Sequence, residues 1–217
     1  MDVVIAGGHG KIALRLERLL VGDGHHARAI VRNPDHAADI EAAGAEPVVL
    51  DLEAVGGVGR LADVARGADA VVFAAGAGPG SGPERKRTVD YGAAVKLIAA
   101  AQAAGVDRYV MVSTLGADRP ERGDEVMRPY FEAKLDAEEA LGAAGLAHTI
   151  VRPGSLVDDP GTGLVTVAEH LGTWGSIPRD DVAALLAAVL VGDAAVGRTI
   201  EVVSGDTSIP DALAALS

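Results

Sequence analysis

The opening stretch decides the fold: Val3-Val4-Ile5-Ala6-Gly7-Gly8-His9-Gly10-Lys11-Ile12-Ala13. Its first four residues are apolar and uncharged, which is typical of a buried parallel strand. Glycines then interrupt the strand, and Ile12 is followed by Leu16, Leu19 and Leu20, which have the spacing of an amphipathic helix. The stretch therefore predicts a strand, a tight glycine turn and a helix.

The glycine turn has the spacing Gly7-x-x-Gly10-x-x-Ala13. Gly7 permits a sharp turn, Gly10 lets the backbone approach a pyrophosphate, and Ala13 is small enough for close packing of helix and strand. The N–H groups and the positive dipole end of the helix would attract phosphate. A purely structural turn would give the same pattern. We expect a dinucleotide phosphate here and keep the structural turn as the alternative.

Composition narrows the class of protein. A chain of 217 residues suits one domain over residues 1–217. A formal charge of −12 disfavours nucleic acid as a partner, because phosphate binding needs a basic surface. The chain has no cysteine, no signal-like start and no long apolar run. We therefore predict a cytoplasmic protein with a small-molecule substrate and no membrane partner, and we leave a homo-oligomer open.

Beyond the first unit, predicted strands alternate with predicted helices. The later strands are expected at residues 27–31, 47–50, 70–74, 108–112, 148–151 and 199–203. Helices are expected at residues 35–43, 60–66, 84–104, 129–144 and 180–190. The stretch from residue 152 to about residue 177 reads as irregular, and residues 75–82 read as a mobile loop. This order predicts an α/β fold: a Rossmann-like, doubly wound parallel sheet of about seven strands, with helices on both faces and a small C-terminal segment on the substrate side.

The residues after the second and third strands bear on cofactor choice. NAD-selective sites usually place an acidic residue after the second strand, whereas this chain has Arg32 followed by Asn33. A guanidinium can bond a 2′-phosphate through two parallel N–H groups, so we predict NADP(H) over NAD(H). A solvated arginine in a turn is the alternative. Asp51 and Leu52 could border the adenine, although Asp51 is equally suited to cap the next turn.

Small residues and a hydroxyl end the next two strands. Ala74, Ala75 and Gly76 leave room for the ribose on the nicotinamide side, or they simply pack closely against the first strand. Ser113 ends the fifth strand. Ligands bind beyond the carboxyl ends of such strands, so we expect these residues at the cleft.

The helix after Ser113 carries Tyr130 and Lys134, which share one helix face. A lysine ammonium favours the phenolate and lowers the pKa of the phenol, which suits tyrosine to proton transfer. Ser113 could hold a substrate carbonyl. We therefore predict Ser113, Tyr130 and Lys134 as catalytic residues. The Tyr-x-x-x-Lys spacing also arises by chance, so its position after the fifth strand carries the argument.

These motifs resemble the atypical short-chain dehydrogenase/reductase superfamily, in particular its small NAD(P)H-binding, NmrA-like and epimerase/dehydratase-like proteins. The resemblance rests on the glycine turn, Val31-Arg32-Asn33, the Tyr-Lys helix and Thr149-Ile150-Val151-Arg152-Pro153-Gly154. It implies phosphate contacts from Gly7, Gly8, His9, Gly10, Lys11 and Ile12. It also implies that Arg32 contacts the 2′-phosphate. On the nicotinamide side it implies contacts from Ala74, Ala75, Gly76, Ser113, Tyr130, Lys134, Pro153, Gly154 and Leu156.

The chain departs from the superfamily in two ways. Seventeen positions separate Ser113 from Tyr130, which is closer to the extended enzymes than to the shorter members. About 45 residues lie between Pro153 and the final strand, too few for the lid with which extended enzymes cover nucleotide sugars. The second departure weakens the epimerase interpretation.

Three functions are compatible with these residues. The first is an NADPH-dependent oxidoreductase acting on a small carbonyl or quinone-like compound. In it Tyr130 supplies the proton, Lys134 orients the ribose and Ser113 polarises the substrate. The second is an NADP(H)-binding module that senses redox state without turnover, and the third is a sugar epimerase or dehydratase. The six histidines show no metal-ligand spacing, so we expect no metal. His170 and Trp174 should cover the nicotinamide, with Trp174 stacking on substrate or anchoring the loop.

Overall fold

The computed structural model describes residues 1–54, 56–78 and 80–216. The predicted mobile loop at 75–82 includes Pro79, which lies outside the described residues. The strands are β1 Asp2–Ala6, β2 His26–Val31, β3 Glu46–Val49, β4 Ala70–Phe73, β5 Arg108–Val112, β6 Ala147–Pro153, β7 Ser155–Val157, β8 Leu164–Ala168, β9 Ser176–Pro178, β10 Arg198–Ser204 and β11 Thr207–Ser208. The α-helices are α1 Lys11–Gly22, α2 Ala37–Ala42, α3 Gly59–Ala65, α4 Gly82–Arg85, α5 Ala94–Ala104, α6 Arg128–Gly142, α7 Arg179–Val191 and α8 Ile209–Ala214.

The main sheet has nine strands in the order β3-β2-β1-β4-β5-β6-β10-β8-β11. All neighbours from β3 to β10 are parallel, and β8 pairs antiparallel with both β10 and β11. The chain winds outward from β1 to β3 and then returns to start β4 on the other side of β1. The strand order thus reverses between β1 and β4, the position where ligands bind in open parallel sheets. The predicted doubly wound α/β fold is confirmed.

The prediction of an irregular segment over residues 152–177 is wrong, and β6 itself continues to Pro153. This segment contains β7, β8 and the start of β9, and β7 and β9 form a separate two-stranded parallel sheet. The two extra strands of the main sheet, β8 and β11, form its antiparallel edge. Strands of two to five residues carry too little periodicity to be recognised alone, and β8 is fixed by its pairing with β10.

Aliphatic side chains fill both faces of the sheet, so helices cover both. On one face Val3 and Ile5 of β1 share a buried cluster with Leu16 of α1 and Leu186 of α7. On the other face Val4 and Ala6 share a second cluster with Leu61 of α3, Leu97 of α5 and Leu141 of α6. Alternation along β1 sends successive side chains to opposite faces, which fixes its register. The carboxyl ends of the central strands therefore all meet at one edge.

The helix predicted over residues 84–104 is not a uniform α-helix. It begins as α4, continues as a π-helical segment over Lys86–Ala93, and ends as α5. A π-helical turn is wider than an α-helical turn and is frequent at functional sites. Here it places Val89, Asp90 and Ala93 among the buried residues.

Two 3₁₀ turns, Pro34–His36 and Pro120–Arg122, complete the regular structure. Within the described residues, no helix has both the length and the apolar character that crossing a bilayer requires.

Candidate functional site

A cleft of about 360 Å³ opens at the reversal of strand order. Its walls come from the glycine turn, the end of β2, the residues after β3 and β4, and the helix that follows β4. Its lining includes ten residues predicted for cofactor binding: Gly7, His9, Gly10, Arg32, Asn33, Asp51, Leu52, Ala74, Ala75 and Gly76. A cleft of this size at this position suits an extended ligand such as a dinucleotide.

The glycine turn has space for no side chain at its first residue. Gly7 has a φ of +85°, and a Cβ added there would lie 2.6 Å from the Ala75 Cα. The Gly10 N–H donates to the Gly7 carbonyl oxygen at 2.8 Å, which closes the turn. The first N–H groups of α1 have no acceptor within the helix and point toward the cleft end, where an anion would satisfy them.

Three residues predicted at the phosphates make other contacts: Gly8, Lys11 and Ile12. Gly8 packs against Ala29, whose Cβ lies 2.6 Å from the position of an added Cβ, and its N–H donates to the Ile30 carbonyl oxygen at 2.9 Å. The side chain of Ile12 belongs to the core. Lys11 Nζ donates to Asp158 at 2.6 Å. Only the backbone N–H groups of Lys11 and Ile12 remain as phosphate donors.

Arg32 meets a second guanidinium that sequence reasoning missed. Arg32 Nη1 and Arg85 Nη2 lie 3.2 Å and 3.1 Å from the same oxygen, Glu53 Oε2. The Thr88 hydroxyl donates to the other Glu53 oxygen at 2.7 Å. Two guanidiniums thus converge on one anionic group at the rim of the cleft. The partners lie far apart in sequence, so no spacing could have paired them.

The part of the cleft next to the ends of β2 and β3 is shaped by short-range hydrogen bonds. Asp51 accepts from the Glu53 N–H at 2.9 Å, so the turn-capping alternative holds while Asp51 still lines the cleft. Asn33 accepts from the Asp35 N–H at 3.1 Å and caps the 3₁₀ turn. The imidazole of His9 stacks on that of His36 with ring centres 3.6 Å apart.

The Tyr-Lys face of α6 points at the end of β5. Lys134 is buried, and its Nζ donates to the Val112 carbonyl oxygen at 3.0 Å. The same Nζ lies 3.4 Å from Asp90 Oδ1. The buried Asp90 also accepts from the Ala77 N–H at 3.2 Å, on the segment after β4. Lys134 and Asp90 therefore join α6, the π-helical segment and the ends of β4 and β5.

Asp90 is a site residue that the sequence analysis missed. The sequence offered one indication, a carboxylate placed between the apolar residues Val89 and Ala93. In a uniform α-helix these residues would share a face differently than they do in the π-helical segment, where all three are buried. Gly76 leaves space for it, since a Cβ added there would lie 3.2 Å from Asp90 Oδ1.

Burial raises the pKa of the Tyr130 phenol. The positive charge of Lys134 and a hydrogen bond with Thr114 lower this pKa, and the negative charge of Asp90 raises it further. The expected effect of Lys134 is therefore present, but burial outweighs it in the net shift. The Lys86 ammonium lies 4.8 Å from the centre of the Tyr130 ring. The phenol is protonated at neutral pH.

Ser113 lies at the cleft edge of β5 with its hydroxyl unengaged. It is buried, its N–H donates to the Val151 carbonyl oxygen at 2.7 Å, and its Oγ has no hydrogen-bond partner within the described residues. A buried hydroxyl without a partner is costly, so a ligand atom at this position would relieve that cost.

The strand end predicted to contact the carboxamide is tightly packed. A Cβ added to Gly154 would lie 2.3 Å from the Gly175 carbonyl oxygen. The Pro153 carbonyl oxygen accepts from the Leu115 N–H at 2.9 Å, and Leu156 packs against the core. These contacts give Gly154 and Leu156 packing roles.

Next to Pro153, the buried Arg152 organises a charged cluster that the sequence analysis also missed. Its Nε and Nη2 donate to the two oxygens of Glu138 on α6, at 3.0 Å and 2.5 Å. Burial disfavours its charge, but Glu138, Asp118 and Glu201 outweigh burial and raise the pKa of Arg152. Arg152 thereby ties α6, which carries Tyr130 and Lys134, to the end of β6.

Comparison with known proteins identifies the family. Residues 7–193 match a family model described as NAD(P)H-binding. The chain belongs to this family. Its relatives and structural neighbours place it in the atypical short-chain dehydrogenase/reductase, NmrA-like group, which confirms the predicted resemblance.

Three similar proteins span nearly the whole chain. YhfK of Bacillus subtilis (strain 168), an uncharacterised sugar epimerase, is 42% identical over 98% of this chain and 99% of its own. A candidate NAD-dependent epimerase/dehydratase from Bacillus halodurans has a TM-score of 0.93 at 37% identity, covering 99% of both chains. The oxidoreductase ylbE of Lactococcus lactis has a TM-score of 0.88 at 26% identity, covering 100% of this chain and 96% of its own. The fold is therefore that of NAD(P)H-binding oxidoreductases and epimerase-like proteins.

Proposed function

We propose that this protein is an NADP(H)-preferring oxidoreductase that reduces a small carbonyl or quinone-like compound. The observation that carries the proposal is the arrangement at the end of β5. There the unengaged Ser113 hydroxyl lies next to Val112, whose carbonyl oxygen holds Lys134, and Tyr130 lies on the same face of α6 as Lys134. These three groups, a hydroxyl, a phenol and an ammonium, supply the functions that carbonyl reduction needs.

The glycine turn fits the dinucleotide that such a reaction needs. The space beside Gly7 is closed to any side chain but open to a phosphate approaching the start of α1. The first N–H groups of α1 would hold the pyrophosphate, Gly7 and Gly10 would leave room for it to approach the backbone, and Lys134 would hold the nicotinamide ribose. When bound, a reduced nicotinamide supplies a hydride to the electrophilic carbon of the substrate.

The protein's own residues account for the proton. In the direction of reduction, oxygen gains negative charge as carbon gains the hydride, and it must be protonated to give the alcohol. Tyr130 carries its proton at neutral pH, as an ordinary phenol does, and burial raises its pKa further, so it is present in the acid form that a general acid needs. Lys134 stabilises the phenolate that forms, and Ser113 donates to the developing oxyanion.

The paired guanidiniums support the preference for NADP(H). Arg32 and Arg85 already hold one carboxylate between them, and their N–H groups would hold the oxygens of a 2′-phosphate in the same way. Glu53 is the group that such a phosphate would have to displace. An NAD ribose carries no charge at that position and would gain nothing from either arginine.

Calorimetric titration with NADPH and NADH tests the cofactor half of the proposal. We expect NADPH to bind at least about tenfold more tightly, and Arg32→Asp to reverse the order. Equal binding of the two would remove the arginines from cofactor selection.

Loss of NADPH absorbance with a carbonyl and quinone panel tests the chemistry. Tyr130→Phe should slow turnover by about 10²- to 10⁴-fold with NADPH affinity nearly unchanged. Tight binding without any turnover would favour a redox-sensing module.

A sugar epimerase is the second candidate, and the similarity to YhfK over nearly the whole chain favours it. An epimerase would keep its nicotinamide bound and return the hydride to the same substrate. Incubation with nucleotide sugars and catalytic NAD or NADP, followed by product analysis, separates the two. Epimerised sugar without net cofactor consumption would replace the reductase proposal.

A further inference from the structure

Three side chains from distant parts of the sequence meet beside the candidate active site. Asp118 follows β5, His170 follows β8, and Glu201 lies in β10. One carboxylate oxygen from each acid and one ring nitrogen of His170 all lie within 4.8 Å of one another. Glu201 is fully buried, Asp118 is half-buried and His170 is exposed, so the group opens to solvent on its histidine side.

Each acid has one carboxylate oxygen without a hydrogen-bond partner within the described residues, and both of these oxygens lie within 4 Å of Arg152 Nη1. Glu201 Oε2 accepts from the Leu171 N–H at 2.7 Å, but Glu201 Oε1 has no hydrogen-bond partner within the described residues. Asp118 Oδ1 has none either in that part of the chain. A buried carboxylate oxygen without a partner is costly, and a bound cation would satisfy both oxygens at once.

The neighbouring guanidiniums do not fill this role. Arg152 Nη1 lies 3.6 Å from Asp118 Oδ1 and 3.8 Å from Glu201 Oε1, beyond hydrogen-bond distance, because the guanidinium is aligned on Glu138. Arg119 lies on the other Asp118 oxygen, with its Nε at 3.2 Å. Three carboxylates thus face two guanidiniums, which leaves one negative charge unbalanced while the imidazole is neutral.

We propose that Asp118, His170 and Glu201 bind a divalent transition-metal ion, and that Zn²⁺ is the ion that suits them. Two carboxylates and one imidazole are ordinary zinc ligands, and three protein ligands leave a fourth position for water. The mixed oxygen and nitrogen set also favours Zn²⁺ over Mg²⁺ or Ca²⁺, which prefer oxygen ligands alone. The positions 118, 170 and 201 have none of the spacing of a sequence motif, which is why sequence analysis predicted no metal.

Such an ion would fix the segment between β8 and β9 to the sheet. His170 and Trp174 lie in this segment, and the Trp174 indole reaches Gly116, where an added Cβ would lie 2.6 Å from the ring. The ion would join the segment between β8 and β9 to β10 and to the segment after β5, which begins with Ser113. Its role is to organise the wall of the substrate side. The proposal does not depend on which reaction the protein catalyses.

The test uses full-length protein without a histidine tag, dialysed against chelator and titrated with Zn²⁺ by calorimetry. We expect one equivalent to bind, and His170→Ala and Asp118→Asn each to weaken binding by more than about tenfold. His26→Ala is the matched control. His26 also lies between two acids, Asp2 and Glu46, each 3.4 Å away, but both acids are more exposed than Asp118 and Glu201, and all three residues lie at the amino ends of β1, β2 and β3.

Co²⁺ gives a second readout that does not depend on heat. We expect a visible absorption band of a low-coordinate Co²⁺ site, lost in His170→Ala and removed from the wild type by Zn²⁺. His170 is exposed, so this variant should fold, and circular dichroism checks that it does. The absence of saturable binding to folded wild type, or equal binding by His170→Ala, would overturn the proposal. Loss of binding in His26→Ala alone would assign the ion to the other end of the sheet.

Discussion

The two halves of the cleft edge, one around the glycine turn and β3 and the other beyond β4, are stabilised by different kinds of contact. Around the glycine turn and β3, the ionic contacts are solvent-accessible pairs such as Lys11–Asp158 and Arg32–Glu53, and the shape comes from backbone. Beyond β4, exposed pairs also occur, but two pairs are buried: Lys134 with Asp90, and Arg152 with Glu138. Within the described residues, Glu17 is the one buried ionisable side chain before residue 86.

Because of this difference, we expect mutations in the two halves to affect different properties. Exposed ion pairs contribute little to stability, so changes in the first half should alter affinity for a ligand. Buried charges depend on their partners, so changes in the second half should alter the stability of the fold itself. The candidate chemistry lies in the second half, where the site and the core share residues.

Replacing Lys134 should give the largest effect. Lys134→Met leaves the buried Asp90 carboxylate without its cation, and we expect a loss of about 3–5 kcal/mol in the free energy of unfolding. Urea denaturation measures it. The matched control is Lys11→Met, whose pair with Asp158 is exposed and should contribute little to stability. Equal losses would abolish the distinction between the halves, and adding Asp90→Asn should recover part of the Lys134 loss.

Glu17 is the exception in the first half and predicts a pH effect. Burial raises its pKa to about 8 from 4.5. The unfolded chain therefore loses this proton before the folded chain does. The stability present below pH 4.5 falls as the pH rises to 8, by at most about 1.4 kcal/mol per pH unit.

We expect Glu17→Gln to flatten this dependence, measured as melting temperature between pH 5 and 8.5. The exposed Glu41 gives the control variant Glu41→Gln, which should keep the wild-type slope. A Glu17→Gln slope that matches wild type would show that Glu17 is ionised in the folded protein.

Gly7→Ala tests whether a change to the tightly packed backbone of the first half lowers the free energy of unfolding as much as the loss of a buried charge in the second half. A side chain at a φ of +85° and 2.6 Å from the Ala75 Cα should cost about 2 kcal/mol or more and weaken NADPH binding. Gly24→Ala is the matched control, because its φ is +80° but nothing lies within 4 Å of the added Cβ. The difference between the two in denaturant midpoint isolates the close contact with Ala75.

Arg85 should give the smallest change, confined to affinity. We expect Arg85→Ala to weaken NADPH binding about tenfold, about 1.4 kcal/mol, with NADH binding and melting temperature unchanged. Glu53→Gln should tighten NADPH binding, because it removes the charge that competes with the 2′-phosphate. Arg66→Ala, at an exposed pair on α3, is the control. An equal loss for NADH would place Arg85 outside the 2′-phosphate contact.

Local signals in the sequence predicted the elements that are local in space. The apolar run before Gly7, the glycine spacing and the 3.6-residue period after Ile12 were sufficient for β1, the turn and α1. The i, i+4 spacing of Tyr130 and Lys134 was likewise sufficient to place both on one face of α6. Each of these depends on contacts within a few residues.

Contacts across long stretches of chain could not be predicted in the same way. Glu53 meets Arg85, and Asp118 meets His170 and Glu201, only because the sheet order brings their strands together. The edge strand β8 forms by pairing with β10, which follows it by 30 residues. The net pKa of Tyr130 depends on burial, which no spacing reveals.

The π-helical segment fixes the relative orientation of two side chains, one contacting each half of the cleft edge. In this segment, Thr88 contacts Glu53 in the first half of the cleft edge, and Asp90 contacts Lys134 in the second half. Deleting one residue between them would rotate one group about the helix axis relative to the other, so both could not keep their partners. Loops around this cleft are free to grow or shrink, but the length of this segment is constrained from both ends. Substrate range should therefore diversify through the segments after β5 and β6 while the 82–104 helix stays constant in length.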